Sequence, residues 1–114
     1  MMLAAPIFAQ DLQKGLETYN KADLDTALKQ WKPLAERGNS RAQSNLGAMY
    51  YNGQGVLVDF VIAHVWFNIS AANGNEIGAE NRDVLAKEMT SEDLSKAEAM
   101  ARVCMNSNYE KCGY

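Results

Sequence analysis

One thirteen-residue pattern recurs in this chain. Ala27-Leu-Lys-Gln-Trp31-Lys-Pro-Leu-Ala35-Glu-Arg-Gly38-Asn39 returns 36 residues later as Ala63-His-Val-Trp-Phe67-Asn-Ile-Ser-Ala71-Ala-Asn-Gly74-Asn75. Ala27/Ala63, Ala35/Ala71, Gly38/Gly74 and Asn39/Asn75 are identical at that offset, and Trp31/Phe67 are both aromatic. Such a period marks a helical repeat array, in which each unit buries its face only against its neighbours. Arrays of this kind expose extended surfaces. The sequence therefore points to binding before it points to any reaction.

The 114 residues are enough for one domain with a few packed layers. A hydrophobic share of 47% and a mean hydropathy of −0.32 describe a chain that folds rather than one that stays disordered. The formal charge of −3 is spread along the sequence with no basic run, which argues against nucleic acid or an anionic membrane as partner. No apolar stretch reaches the roughly 20 residues of a spanning helix. Residues 1–9 are apolar and end in Ala9 before Gln10 and Asp11. They read as the remnant of a signal peptide or a disordered N-terminus, although no basic region precedes them and they fall short of the usual ~15–30 residues.

Helical periodicity dominates and strand-like alternation is almost absent. Leu12, Leu16 and Tyr19 share one face of a first helix over Asp11–Asn20. Asp23 or Asp25 caps a second, carrying Leu24, Ala27, Leu28 and Trp31. Pro33 predicts a kink or stop near Lys32, followed by packing of Leu34 and Ala35 and termination at Gly38. Asn39 or Ser40 opens a third helix with Ala42, Leu46, Met49 and Tyr50 inside. After the Asn52–Val56 turn, Asp59 caps a fourth with Ala63, Trp66, Phe67, Ser70 and Ala71. Asn75 caps a fifth running through Ala79, Val84 or Leu85, and Met89. Thr90-Ser-Glu-Asp93 is a capping-box pattern for a sixth, which carries Leu94, Ala97, Met100, Ala101 and Val103. Gly47 sits inside the third helix at a cost of roughly 1 kcal/mol against alanine. The expected reason is a partner backbone lying against it, with Ala63 and Ala71 on the receiving face. The predicted fold is all-α, an α/α superhelix of about six helices in three antiparallel pairs.

The stretch Ala42-Gln-Ser-Asn-Leu46-Gly47-Ala-Met-Tyr50 through Gly53-Gln-Gly55-Val56, Asp59, Ala63, Trp66-Phe67 and Ala71-Ala72 to Gly74 resembles a unit of the Sel1-like repeat family, one of the tetratricopeptide-like α/α solenoids. The resemblance implies a full repeat over residues 39–74. It also implies a degenerate one over 10–38, a closing helical pair over 75–105, a tail over 106–114, and a single domain over 10–114. It further implies a non-catalytic scaffold that binds protein segments.

Four features invite chemistry. Gly53-Gln-Gly55 lacks the preceding strand of a phosphate loop, so its glycines serve the turn. His64, the one histidine, stacks with Phe60, Phe67 and Ala71 along its helix and has no nucleophile in any recognisable motif. The pairs Asp23/Asp25 and Glu92/Asp93 sit at helix starts, where the helix dipole favours negative charge. Cys104 and Cys112 would lie about 12 Å apart on a continuous helix, too far for a disulfide. Asn106-Ser-Asn108 between them favours a stop and reversal that brings the sulfurs together. Free thiols and a metal site are the alternatives; zinc, with His64 added, would still be one ligand short. The spacing also resembles bridges in cysteine-rich secreted family members, which implies export to the periplasm or beyond.

In tetratricopeptide-like arrays the first helix of each pair lines the concave face. The resemblance then implies a ligand strip of Gln13, Glu17 and Asn20, of Arg41, Ser44, Asn45, Ala48 and Tyr51, and of Asn81, Arg82, Leu85 and Glu88. A protein or peptide partner is expected on it, with no catalytic residue, metal or cofactor. Competing expectations are a self-associating structural or envelope protein, and β-lactam binding or hydrolysis as in some cysteine-rich relatives. No Ser-x-x-Lys signature supports the latter.

Overall fold

The computed structural model describes residues 21–113, as five helices. These are α1 (Lys21–Ala35), α2 (Ser40–Asn52), α3 (Phe60–Ala72), α4 (Glu76–Ala86) and α5 (Ser91–Asn106). The helix expected over Asp11–Asn20 and the signal remnant over 1–9 lie outside the described residues. Helices and turns make up all of the described chain, as an α/α repeat fold requires.

The repeat visible in the sequence is reproduced bond for bond. Gly38 and Gly74 both take φ +91°, which an L side chain resists, and so end α1 and α3 alike. Asn39 N–H donates to Leu34 O at 3.0 Å, and Asn75 N–H donates to Ser70 O at 3.1 Å. The same two asparagines then cap the next helices. Asn39 Oδ1 accepts from Ala42 N–H and Asn75 Oδ1 from Gly78 N–H, each at 2.9 Å. Asp59 caps α3 through Ile62 N–H, and the Thr90 hydroxyl caps α5 by accepting from Asp93 N–H. All four N-terminal caps on α2 to α5 follow the sequence.

α3 is the centre of the molecule. Ile62 to Phe67, Ile69 and Ser70 are buried, so this helix is apolar on nearly every side, as a helix enclosed by others must be. α2 and α4 flank it, α5 packs on it from a third side, and α1 closes over α2. α4 and α5 each rest on α3 more than on one another. Trp66, with no exposed surface, anchors a core that joins Ala35, Leu46, Val65, Ile69, Ala97, Ala101 and Cys104.

Small residues set the close approaches. A Cβ on Gly47 would stand 2.6 Å from the Phe67 ring, so the glycine is needed, although its partner is that side chain rather than a backbone. Ala63 and Phe67 lie one turn apart in a second cluster with Ala48 and Leu85. Gly78 serves the same purpose between α4 and α3, where an added Cβ would stand 2.6 Å from Ser70 Oγ.

Several local expectations are corrected. Asp23 and Asp25 lie inside α1 rather than at its cap. Pro33 does not stop α1, which continues to Ala35, with Glu36 N–H still bonded to Lys32 O. The proline removes only its own N–H bond to the preceding turn, and the bonds made by later residues persist. Leu34 is 41% exposed instead of packed. Met89 follows α4 rather than ending it, and Val103 faces outward while Cys104 takes the core position.

Cys104 and Cys112 form a disulfide with Cα atoms 4.3 Å apart. The reversal between them is held by Ser107 Oγ, which donates to Cys104 O and accepts from Lys111 N–H, both at 2.9 Å. Asn108 and Tyr109 take left-handed φ values of 57° and 66° to complete the turn. The bridge thereby seats Tyr109, whose hydroxyl accepts from Asn73 Nδ2 at 3.2 Å. Asn73 Nδ2 also donates to Gln43 Oε1, and Gln43 Nε2 to Ala35 O, so one buried amide ties the tail to both repeat turns.

Candidate functional site

A cleft of about 310 Å³ opens between α2 and α4 over the middle of α3. Ala48, Tyr51 and Asn52 come from α2, Phe67 from α3, and Asn81, Val84 and Leu85 from α4. Ala48, Phe67 and Leu85 form a buried apolar floor. Val84, 56% exposed, makes an apolar wall, and Tyr51, Asn52 and Asn81 supply hydroxyl and amide groups at the rim. An apolar depression with a few polar groups around it fits a side chain together with its main-chain amides.

The α2 end of the cleft is the more organised. The Tyr51 ring stacks on Phe60 at 5.2 Å with planes 19° apart. Its hydroxyl donates to Glu88 Oε2 at 3.1 Å, and that bond, with the carboxylate's charge, raises the phenol above its ordinary acidity range. Arg82 turns to its own neighbours instead: Nε donates to Asp83 Oδ1 at 3.0 Å and Nη1 to Asn68 Oδ1 at 3.5 Å.

The strip expected from sequence divides in two. Tyr51 and Asn81 line the cleft, Ala48 and Leu85 form its floor, Glu88 stands at its mouth, and Arg41 is exposed at the start of α2. The expected outward position of Ser44 is corrected. Its hydroxyl is buried against Ser70 Oγ at 2.6 Å, and since Ser70 Oγ donates to Ser40 O, Ser44 must be the donor to Ser70. Asn45 is likewise buried, at 2% exposure, with Oδ1 lacking a hydrogen-bond partner, one turn before Ala48. Ala48 and Leu85, at 5% and 1%, are floor rather than outward surface. The cause is a third helix: α4 stacks beside α2 on α3 and covers what a single helix pair would leave open. Gln13, Glu17 and Asn20 lie outside the described residues.

Asn52, Phe67 and Val84 line the cleft and were absent from that strip. The repeat offset held the signal for one of them, since Val84 is Ala48 displaced by 36 residues. Asn52 sits one turn after Ala48, and Phe67 is the aromatic that Gly47 admits.

His64 does not join the cleft. It is 3% exposed, its Nδ1 has no hydrogen-bond partner, and burial lowers its pKa from the ordinary value. Glu98 on α5 and Asp83 on α4 act in the opposite sense, while Arg82 reinforces the burial effect. The neutral imidazole is the folded form, so the unfolded chain binds more protons in acid. Stability is then full above about pH 6.5 and declines as pH falls through that value toward the lowered folded one. The urea midpoint of the protein is expected to drop between neutrality and pH 5, and that of His64→Leu to drop less. Parallel profiles would contradict the buried neutral assignment.

The matched family model decides the unit. Residues 40–75 fit the model described as Sel1 repeat, which spans α2, α3 and the turn into α4. Over these residues the chain is similar to a Sel1 repeat. A Sel1 repeat suggests a protein-interaction module, and the cleft lies between α2, inside the matched stretch, and α4, which follows it. An uncharacterized protein of Neisseria meningitidis serogroup B is 48% identical over 48 residues, 42% of this chain. The aligned part is 10% of that relative's length. No solved structure matches the chain significantly. Among the described residues no helix is long and apolar enough to cross a membrane. The disulfide is compatible with an oxidising compartment such as the periplasm or the extracellular space.

Proposed function

We propose that the protein is a non-catalytic, exported interaction module that binds a peptide or protein segment in the α2–α4 cleft. One observation carries the reading. A depression with a buried apolar floor and a hydroxyl-and-amide rim lies on the helices that Sel1-type units present to partners. Val84 is apolar and 56% exposed there, a position that gains from being covered. Arg41, at the start of α2, and Arg82, beside the cleft on α4, complete the proposed contact surface. Export rests on the disulfide and on the apolar run ending at Ala9.

The test is selection of a random peptide library displayed on phage against the oxidised protein. Two obstructed variants serve as controls: Ala48→Trp fills the floor, and Val84→Arg places charge on the exposed wall without touching the core. Clones enriched on the wild type are expected to lose at least about tenfold in affinity on both, the loss of one well-packed anchor. Equal affinity for all three proteins would overturn the assignment to this cleft.

A further inference from the structure

We infer that the cleft selects segments in which an apolar side chain is flanked by lysine or arginine, the cation pairing with Glu88. This rests on the binding reading above and adds to it the chemistry of the partner. The two ends of the cleft differ. Ala48, Phe67 and Leu85 at the centre take an uncharged anchor. At the mouth, Tyr51 holds one oxygen of the Glu88 carboxylate at 3.1 Å, and Phe60 in turn holds the Tyr51 ring. A carboxylate has about four lone-pair sites, so one phenol donor leaves capacity for a cation. Because the Tyr51 bond, on a ring itself held by Phe60, already restrains the carboxylate, an incoming ammonium or guanidinium has less to order. The Tyr51 ring beside it also offers a face for cation–π contact.

Charge in the vicinity agrees. Arg82, the cation of α4, is already engaged by Asp83 and Asn68 and does not turn to Glu88. Asn52 and Asn81, the other polar lining groups, are neutral. Glu88 thus sets a negative charge at the mouth, which favours a basic partner over an acidic one.

The probes are three synthetic peptides in one Gly–Ser host, carrying a Leu–Lys, Leu–Gln or Leu–Glu pair, titrated into isotope-labelled protein. The Leu–Lys peptide is expected to shift the amides of Ala48, Asn81 and Leu85 and to bind about three- to fivefold more tightly than Leu–Gln, the range of one exposed ion pair. Leu–Glu is expected to bind weakest. Glu88→Gln should equalise Leu–Lys and Leu–Gln, and about 1 M salt should do the same in the wild type. Equal binding of all three peptides in the cleft would overturn the charge selection while leaving the binding reading intact. A lysine preference that survives Glu88→Gln would overturn the assignment to Glu88. Failure of every peptide to perturb the cleft would remove both.

Discussion

Gly47→Leu is expected to lower the stability of the folded protein by about 3 kcal/mol, at the upper end of what overpacking costs a core. The first added atom already meets Phe67 Cδ1 and Cε1 at 2.6 Å and Cγ at 3.0 Å. The ring has little room to retreat, because Phe67 is 3% exposed in a cluster with Ala48, Ala63 and Leu85. Gly47→Ala makes the sign informative. In a helix free of neighbours, alanine in place of glycine would stabilise by roughly 1 kcal/mol. Here it is expected to destabilise instead, and Phe67→Leu in the same chain is expected to recover part of the loss. Urea unfolding of the three variants checks this. A Gly47→Ala protein more stable than the wild type would show that α2 and α3 are not packed as described.

The second large effect is expected from the disulfide. Replacing Cys104 and Cys112 together by alanine should cost about 2–3 kcal/mol, the loop-closure value for a bridge across so short a segment. Both cysteines are buried, at 0% and 6% exposure, so trimming them also opens a little space in the main core. The loss should extend through the bridged loop, where Tyr109 contacts Asn73 and through it Gln43. Wild-type protein treated with a dithiol reductant is expected to converge on the midpoint of the double variant. A midpoint indifferent to reductant would mean that the bridge constrains nothing.

What the sequence revealed and what it hid follow from the range of the interactions involved. The caps at Asn39, Asp59, Asn75 and Thr90 were legible because a cap is settled within four residues of itself. Gly38 and Gly74 were legible because the 36-residue offset displayed the same turn twice. Gly47 was recognised as a packing position, yet its partner depends on how α3 rotates, which no local rule supplies. Ser44, Asn45 and Leu85 were misplaced for a related reason. Counting outward positions on one helix pair assumes an open face, and α4 closes part of it on α3. Val103 and Cys104 exchanged places because neighbouring residues on a helix differ by only about a quarter turn. Gln43 gave no warning: a polar residue buried between two turns reads, in sequence, like any exposed one.

The cleft is the centre of this account, and the most direct measurement is the footprint of a peptide enriched from the displayed library, mapped by amide shifts across the whole protein. Ala48, Asn52, Phe67, Asn81, Val84 and Leu85 are expected to shift first and most, with residues around Met100 and Lys111 unmoved. Shifts centred on α5 and the bridged tail, with α2 and α4 silent, would contradict it.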